Sequence, residues 1–122
     1  MNYLLVFVGG GLGSLARYGL ARLLPSPELS AGQMPWPTLL ANFLACLLLG
    51  GLLGYVSREA LGRPYQLLLM TGFCGGFSTF STFAAEAWLL GEEGFSGAAI
   101  TYVGLSLILG VGALWLALVL TR

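Results

Sequence analysis

Four apolar stretches of about 20 residues or more, Tyr3–Leu24, Pro37–Val56, Tyr65–Leu90 and Gly97–Leu120, dominate this chain of 122 residues. A helix crosses about 30 Å of hydrocarbon in roughly 20 residues, so each stretch is long enough to span a bilayer. Between them lie Pro25, Pro27, Pro35 and Pro37, then Arg58, Glu59, Arg63 and Pro64, then Gly91-Glu92-Glu93-Gly94. Polar and turn-forming residues therefore collect where the apolar runs stop. Only 8% of the residues are charged and 57% are hydrophobic, whereas a soluble domain carries roughly 25% charged residues. The expectation is an all-α membrane protein, residues 1–122 forming a single domain of four transmembrane helices. A cleaved signal peptide would begin with basic residues, and no arginine precedes Arg17, so the first stretch is read as a retained span.

Composition excludes several function classes. Five basic and five acidic residues cancel, and histidine is absent. There is no basic patch for nucleic acid, and no imidazole for metal binding or acid–base catalysis. Cys46 and Cys74 fall inside apolar stretches, where they serve most simply as small packing residues.

Four spans put both termini and the second connection on one side of the membrane. That side carries Arg58, Arg63 and Arg122, and the other carries Arg22, with Arg17 still inside the first span. The resulting positive-inside bias is weak. One consequence is a chain that inserts in both orientations and assembles as an antiparallel, dual-topology homodimer. Four short helices also leave little room for a pathway within one subunit, so a pore would form between subunits.

The stretch Gly72-Phe73-Cys74-Gly75-Gly76-Phe77-Ser78-Thr79-Phe80-Ser81-Thr82-Phe83 disturbs the third span. Glycine costs about 1 kcal/mol relative to alanine in a helix, and hydroxyls compete for backbone hydrogen bonds. Non-helical backbone at bilayer depth survives only where protein buries it or where it lines a polar cavity. A break in the third helix is expected here, and with it a site. Gly9, Gly10, Gly11 and Gly13 in the first span, Gly50, Gly51 and Gly54 in the second, and Gly104, Gly110 and Gly112 in the fourth are read as helix-packing positions.

Polar residues inside spans are more telling, because lipid does not solvate them. Thr38 and Asn42 lie four apart on the second span, and Tyr102 and Ser106 lie four apart on the fourth. On the third, Phe77, Phe80 and Phe83 are spaced by three, beside Ser81 and Thr82, with Glu86 one turn beyond. Amide and hydroxyl groups are donors that can replace water around a small anion, and an aromatic ring has a positive edge. No lysine or arginine stands in these rows, which suits a channel, since an ion held too tightly cannot leave. Arg17 is the cation within a span, able to snorkel to the interface or to raise anion concentration at a pore mouth.

Over essentially all its length the chain resembles the small fluoride channels called Fluc or CrcB. The resemblance rests on Gly10-Gly11-Leu12-Gly13-Ser14-Leu15-Ala16-Arg17-Tyr18, on Pro37-Thr38-Leu39-Leu40-Ala41-Asn42, and above all on the stretch from Gly72 to Phe83. Ser14, where alanine is common, and Ala45 with Leu47, where glycine and phenylalanine are frequent, depart from the pattern. The resemblance implies an antiparallel homodimer in the plasma membrane that passes fluoride passively through two pores built from both subunits, protecting a microbial cytoplasm. It implies that Phe80 and Phe83 line the pores with Asn42 as a nearby donor. Ser81, Thr82, Tyr102, Ser106 and Glu86 would form a polar track. The Gly75 and Ser78 carbonyls of both copies would hold a structural Na⁺ at the dimer axis, and Arg17 and Thr38 would be supporting or vestibule residues.

Two other classes fit parts of the pattern. A proton-coupled exporter of small drugs would also have four spans and a membrane-buried glutamate, although such carriers place it in the first span. Its flux would need a proton gradient and Glu86. A non-transporting assembly subunit would use its glycines and hydroxyls for packing alone, and would pass no ion.

Overall fold

Proline sets the first turn of two spanning segments, where its missing N–H is one that a helix leaves unpaired anyway. In the computed structural model, which describes all 122 residues, α1 (Asn2–Leu23) is followed by α2 (Trp36–Ser57), with Pro37 in its first turn. Pro64 likewise sits in the one-turn helix α3 (Arg63–Tyr65), which runs on into a π-helical stretch, Gln66–Cys74, and then α4 (Gly75–Phe77). Ser78 (φ −77°, ψ 159°) and Thr79 (φ −149°, ψ 119°) are extended, and helix resumes as α5 (Phe80–Glu92) and then α6 (Ser96–Thr121). The connection before α2 is turn-rich, as its prolines lead one to expect. It holds a single 3₁₀ turn, Leu29–Ala31, closed by Gly32 at φ 71°, which favours glycine. Four helical segments, Asn2–Leu23, Trp36–Ser57, Arg63–Glu92 and Ser96–Thr121, are long and apolar enough to cross a membrane.

Two pairings build the bundle: α1 lies along the π-helical stretch and α4, and α2 lies along α6, while α5 packs on α6. Glycine permits both. A methyl group on Gly9 would collide with the Leu68 carbonyl oxygen, one on Gly13 with that of Phe73, and one on Gly76 with that of Gly10. Across the second pairing, a methyl on Gly50 would strike the Leu114 carbonyl and one on Gly54 the Thr121 side chain. In lipid no hydrophobic force drives helices together, so van der Waals contact at such approaches holds the pairs. Gly11, Gly104 and Gly112 instead have open space over their α-carbons. The glycines thus divide into those used within the chain and those facing outward.

The extended pair also corrects one sequence pattern. The spacing of Phe77, Phe80 and Phe83 assumes one continuous helix, but Phe77 is buried against Ala41 and Ala45 and stacks on Phe73 at a centroid distance of 5.7 Å. Phe80, beyond the extended pair, is 79% exposed. Phe80 and Phe83 stay together, their centroids 5.8 Å apart.

Candidate ion pathway

Extended backbone inside a membrane protein must find hydrogen-bond partners for groups that a helix would pair internally. Asn42 of α2 supplies two of them. Its Oδ1 accepts from the Thr79 N–H at 2.7 Å, and its Nδ2 donates to the Thr79 carbonyl at 3.0 Å. Thr79 caps α5, its Oγ1 accepting from the Thr82 N–H at 3.3 Å, the usual role of a threonine at that position. The same hydroxyl donates to Thr82 Oγ1 at 3.2 Å and lies 3.5 Å from Ser81 Oγ. On the other side of the pair, the Cys74 carbonyl accepts from Ser78 N–H at 3.0 Å and from Ser78 Oγ at 2.8 Å. The Gly76 carbonyl accepts from Arg17 Nε at 3.2 Å and from Ser14 Oγ at 3.4 Å. Arg17 is therefore drawn inward to the end of α4, where a cation complements the carbonyl end of a helix.

The same bonds decide the state of two other carbonyls. In a continuous helix the Gly75 oxygen takes the Thr79 N–H and the Ser78 oxygen takes the Thr82 N–H. Those two N–H groups are given to Asn42 Oδ1 and Thr79 Oγ1, so both carbonyls lose their helical donors. Gly75 is exposed, with nothing over its α-carbon. A pair of carbonyl oxygens released in this way is the donor type a hard cation takes.

Two clefts flank Thr79. The first, of about 360 Å³, is lined by Ser14, Arg17, Thr38, Thr79, Thr82 and Glu86, among others. The second, of about 270 Å³, is lined by Asn42, Ser78, Thr79, Phe80, Phe83 and Ser106, among others. Glu86 is held at the inner side of the first cleft, where Thr38 Oγ1 donates to its Oε1 at 2.8 Å and Tyr102 OH donates to its Oε2 at 2.7 Å. Tyr102 is fully buried and its ring lies 5.2 Å from that of Phe83, which joins the two clefts through packed side chains. Ser106 Oγ is buried and has no hydrogen-bond partner. It is a free hydroxyl in the wall of the second cleft.

The residues singled out in the sequence thus gather into two groups. Asn42, Phe80, Phe83 and Ser106 come together in one cleft, and Arg17, Thr38, Thr82 and Glu86 in the other, with Tyr102 behind both. Ser81 is exposed and lines neither. Two residues escaped the sequence analysis. Thr79 belongs to both clefts and anchors Asn42; its signal was a threonine placed where a new helix starts. Ser14 shares the Gly76 carbonyl with Arg17, and lies three residues before it on the same helix face.

Comparison with known proteins gives a consistent result. The sequence model of the family described as CrcB-like protein, Camphor Resistance (CrcB), matches residues 4–118. A fluoride-specific ion channel FluC of Beijerinckia indica is 43% identical, the match covering 98% of this chain and 94% of that protein. The FluC protein of Methylobacillus flagellatus is 38% identical over 98% of this chain and 93% of its own length. That of Erythrobacter litoralis is 40% identical over 96% and 89%.

Proposed function

The chain belongs to the CrcB-like family and is a multi-pass inner-membrane protein, and we propose that, like its relatives named fluoride-specific ion channels, it conducts fluoride across that membrane. The observation that carries this reading is the convergence of the Asn42 amide, the Ser106 hydroxyl and the Phe80 and Phe83 rings on one cleft, which meets at Thr79 a second cleft lined by hydroxyls, Arg17 and Glu86. Fluoride holds its water strongly, so each step of passage needs a replacement donor. Ser106 Oγ has a hydroxyl without a partner. Asn42 uses one N–H on the Thr79 carbonyl and keeps a second. The edges of Phe80 and Phe83 offer partial positive charge without a fixed cation that would trap the ion. Arg17 raises the local anion concentration in the first cleft.

A single copy leaves this path open to one side. Phe80, Gly75 and Ser81 are exposed, and a second, antiparallel copy laid over them closes two pores and forms the homodimer. At the axis between the copies, the Gly75 and Ser78 carbonyls of both hold one Na⁺ as a structural ion, a role supported by the diversion of their helical donors to Asn42 and Thr79. Transport is passive: an interior-negative potential drives fluoride outward with about 2.3 kcal/mol per charge per 100 mV. Proton-coupled export fits less well, because both Glu86 carboxylate oxygens are occupied by the Thr38 and Tyr102 hydroxyls.

The test is fluoride efflux from liposomes holding the purified protein, read with a fluoride electrode under a potassium-ionophore voltage clamp. Fast release of fluoride with little release of chloride, in the absence of a proton gradient, is the expected result. Fluoride trapped in correctly reconstituted vesicles would sink the channel, and release only with a proton gradient would favour the exporter.

A further inference from the structure

One face of the bundle takes no part in the ion path. Between α2 and α6 runs an apolar groove of about 450 Å³, lined by Leu44, Leu48, Gly51 and Tyr55 of α2 and by Leu116 and Leu120 of α6, among others. With 3.6 residues per turn, Gly51 stands half a turn around α2 from Asn42, and Tyr55 half a turn from Cys46. Asn42 and Cys46 are the α2 residues that share clefts with Phe80 and Gly75. The groove is therefore on the far side of α2 from those clefts and from the face over which the second copy is laid. Leu48, Tyr55, Leu116 and Leu120 are exposed, so in a bilayer the groove opens to lipid. From Leu44 to Tyr55 it rises about 16 Å along α2, roughly the depth of one leaflet of a hydrocarbon core about 30 Å thick.

Charge marks one end of this groove. Thr121 lines it beside Gly51 and Tyr55, and Arg58, the residue that closes α2, donates from Nη1 to the Thr121 carbonyl at 3.4 Å. Arg122 follows Thr121, and both arginines are exposed. A guanidinium has five N–H donors, so most of those on Arg58 stay free. Tyr55 lies at the same end, and such aromatic side chains settle at the level of lipid headgroups. At this end of the bundle Arg58, Arg63 and Arg122 are set against one acid, Glu59, whereas at the other end Arg22 is set against Glu28, Glu92 and Glu93. We infer that the α2–α6 groove seats an anionic phospholipid, with one acyl chain along the leucines and the phosphate on Arg58 and Arg122. Guanidinium and phosphate pair through short, charge-assisted hydrogen bonds, and basic residues at the end of a span attract anionic headgroups. A zwitterionic headgroup brings an ammonium that the same arginines repel. One face of α2 then serves the ion and the opposite face holds lipid.

The experiment is native mass spectrometry of the purified, detergent-solubilised protein, titrated with dioleoyl phosphatidylglycerol and, as the same chains under a zwitterionic head, dioleoyl phosphatidylcholine. Wild-type protein should bind phosphatidylglycerol at least about tenfold more tightly, as two arginines beside a headgroup predict. The double variant Arg58→Gln/Arg122→Gln should lose that preference, and Arg22→Gln, at the acidic end, should keep it. Gly51→Leu fills the groove without a backbone collision, since a Cβ there has its nearest contact at 4.0 Å, and should weaken phosphatidylglycerol binding several-fold. Excess inorganic phosphate should not displace the lipid, because the chain is held as well as the headgroup. Each variant is checked for helical circular dichroism, and if Gly51→Leu fails to fold, Leu48→Gln, which sets a polar group in the groove, takes its place. Equal binding of the two lipids by the wild type, a preference that survives in the double arginine variant, or a folded groove variant that binds like the wild type would overturn the site. So would displacement by phosphate alone, which leaves only an anion site, or a change of subunit number in the groove variant, which gives the groove to a second copy. The readout is lipid binding, so this result stands or falls apart from the fluoride efflux result.

Discussion

The two halves of the third span, one on each side of Ser78-Thr79, are held in the bundle by opposite means. From Gln66 to Phe77 the chain lies against α1 through missing side chains, with Gly72 on Gly9, Gly76 on Gly10, and Gly13 under the Phe73 carbonyl. From Phe80 to Glu92 the contacts are made by side chains, with Leu90, Phe83 and Ala87 packed in an apolar cluster with Leu39 and Tyr102, and Glu86 bonded to Thr38 and Tyr102, while Asn42 holds Thr79 just ahead of them. Backbone packed on backbone has no adjustable part, so the first half fixes position. Hydrogen-bonded side chains keep spare donors and acceptors, so the second half can meet an ion. The extended pair belongs to both regimes, with Arg17 and Ser14 holding the end of the first half and Asn42 holding the start of the second.

The contrast is most easily broken on the glycine side. Gly13→Val places a side chain into the Phe73 carbonyl and the Phe77 backbone. Overpacking costs about 1–3 kcal/mol even where side chains can yield, and backbone cannot. Monodisperse protein should be largely lost on size exclusion, whereas Gly11→Ala, which enters open space, should elute normally. A well-behaved Gly13→Val protein would show that the first half is not rigidly seated.

On the polar side the largest effect belongs to Asn42→Leu. It removes the partner of both Thr79 backbone groups, and a buried unsatisfied donor costs about 1–3 kcal/mol. Fluoride efflux should fall by roughly tenfold or more, the rate change that about 1.4 kcal/mol on a barrier produces. Thermal stability should fall with it, because the same amide serves structure and conduction. Loss of flux with unchanged stability would assign Asn42 to the ion alone.

Much of this division could be read before any coordinates. Proline, arginine and glutamate positions mark the ends of four helices, and the Gly72–Phe83 stretch marks where the third departs from regular helix. Spacing also grouped Thr38 with Asn42 and Tyr102 with Ser106. What spacing could not supply was the phase change at an extended pair. Two residues of extended chain reset the helical angle, so Phe77 goes to the core while Phe80 and Phe83 face the cleft. Nor could it tell which glycines touch backbone, since Gly9 and Gly11 look alike until a partner helix is laid on one face of α1. Arg17 shows the remaining gap: its stem length allows snorkelling, and only the carbonyl left at Gly76 explains why it turns inward.

A smaller effect is expected at Glu86, where the polar side is most heavily bonded. Glu86→Gln keeps one acceptor for the Thr38 or Tyr102 hydroxyl and turns the other into a donor. Hydroxyls can rotate to accept, so the net loss should be about 1 kcal/mol. Efflux should slow by a few-fold, by about fivefold at that cost, and remain independent of a proton gradient. Flux abolished in Glu86→Gln, together with wild-type flux that needs an imposed pH gradient, would move Glu86 from scaffold to proton carrier.

The smallest expected effect sharpens the boundary itself. Ser14 lies on α1, among the glycines, yet it lines the first cleft and reaches the Gly76 carbonyl at 3.4 Å. At that length, beside an Arg17 Nε already bonded at 3.2 Å, its hydroxyl contributes little to holding α4. Ser14→Ala should therefore change thermal stability by less than about 0.5 kcal/mol, the lower end for a single hydrogen bond. If Ser14 acts only on the carbonyl, efflux should be equally insensitive, whereas Arg17→Gln should slow it by removing both the tie and the charge. A Ser14→Ala protein of normal stability but distinctly slower efflux would place this hydroxyl on the ion, and extend the conducting surface along α1 from Arg17 to the turn before it.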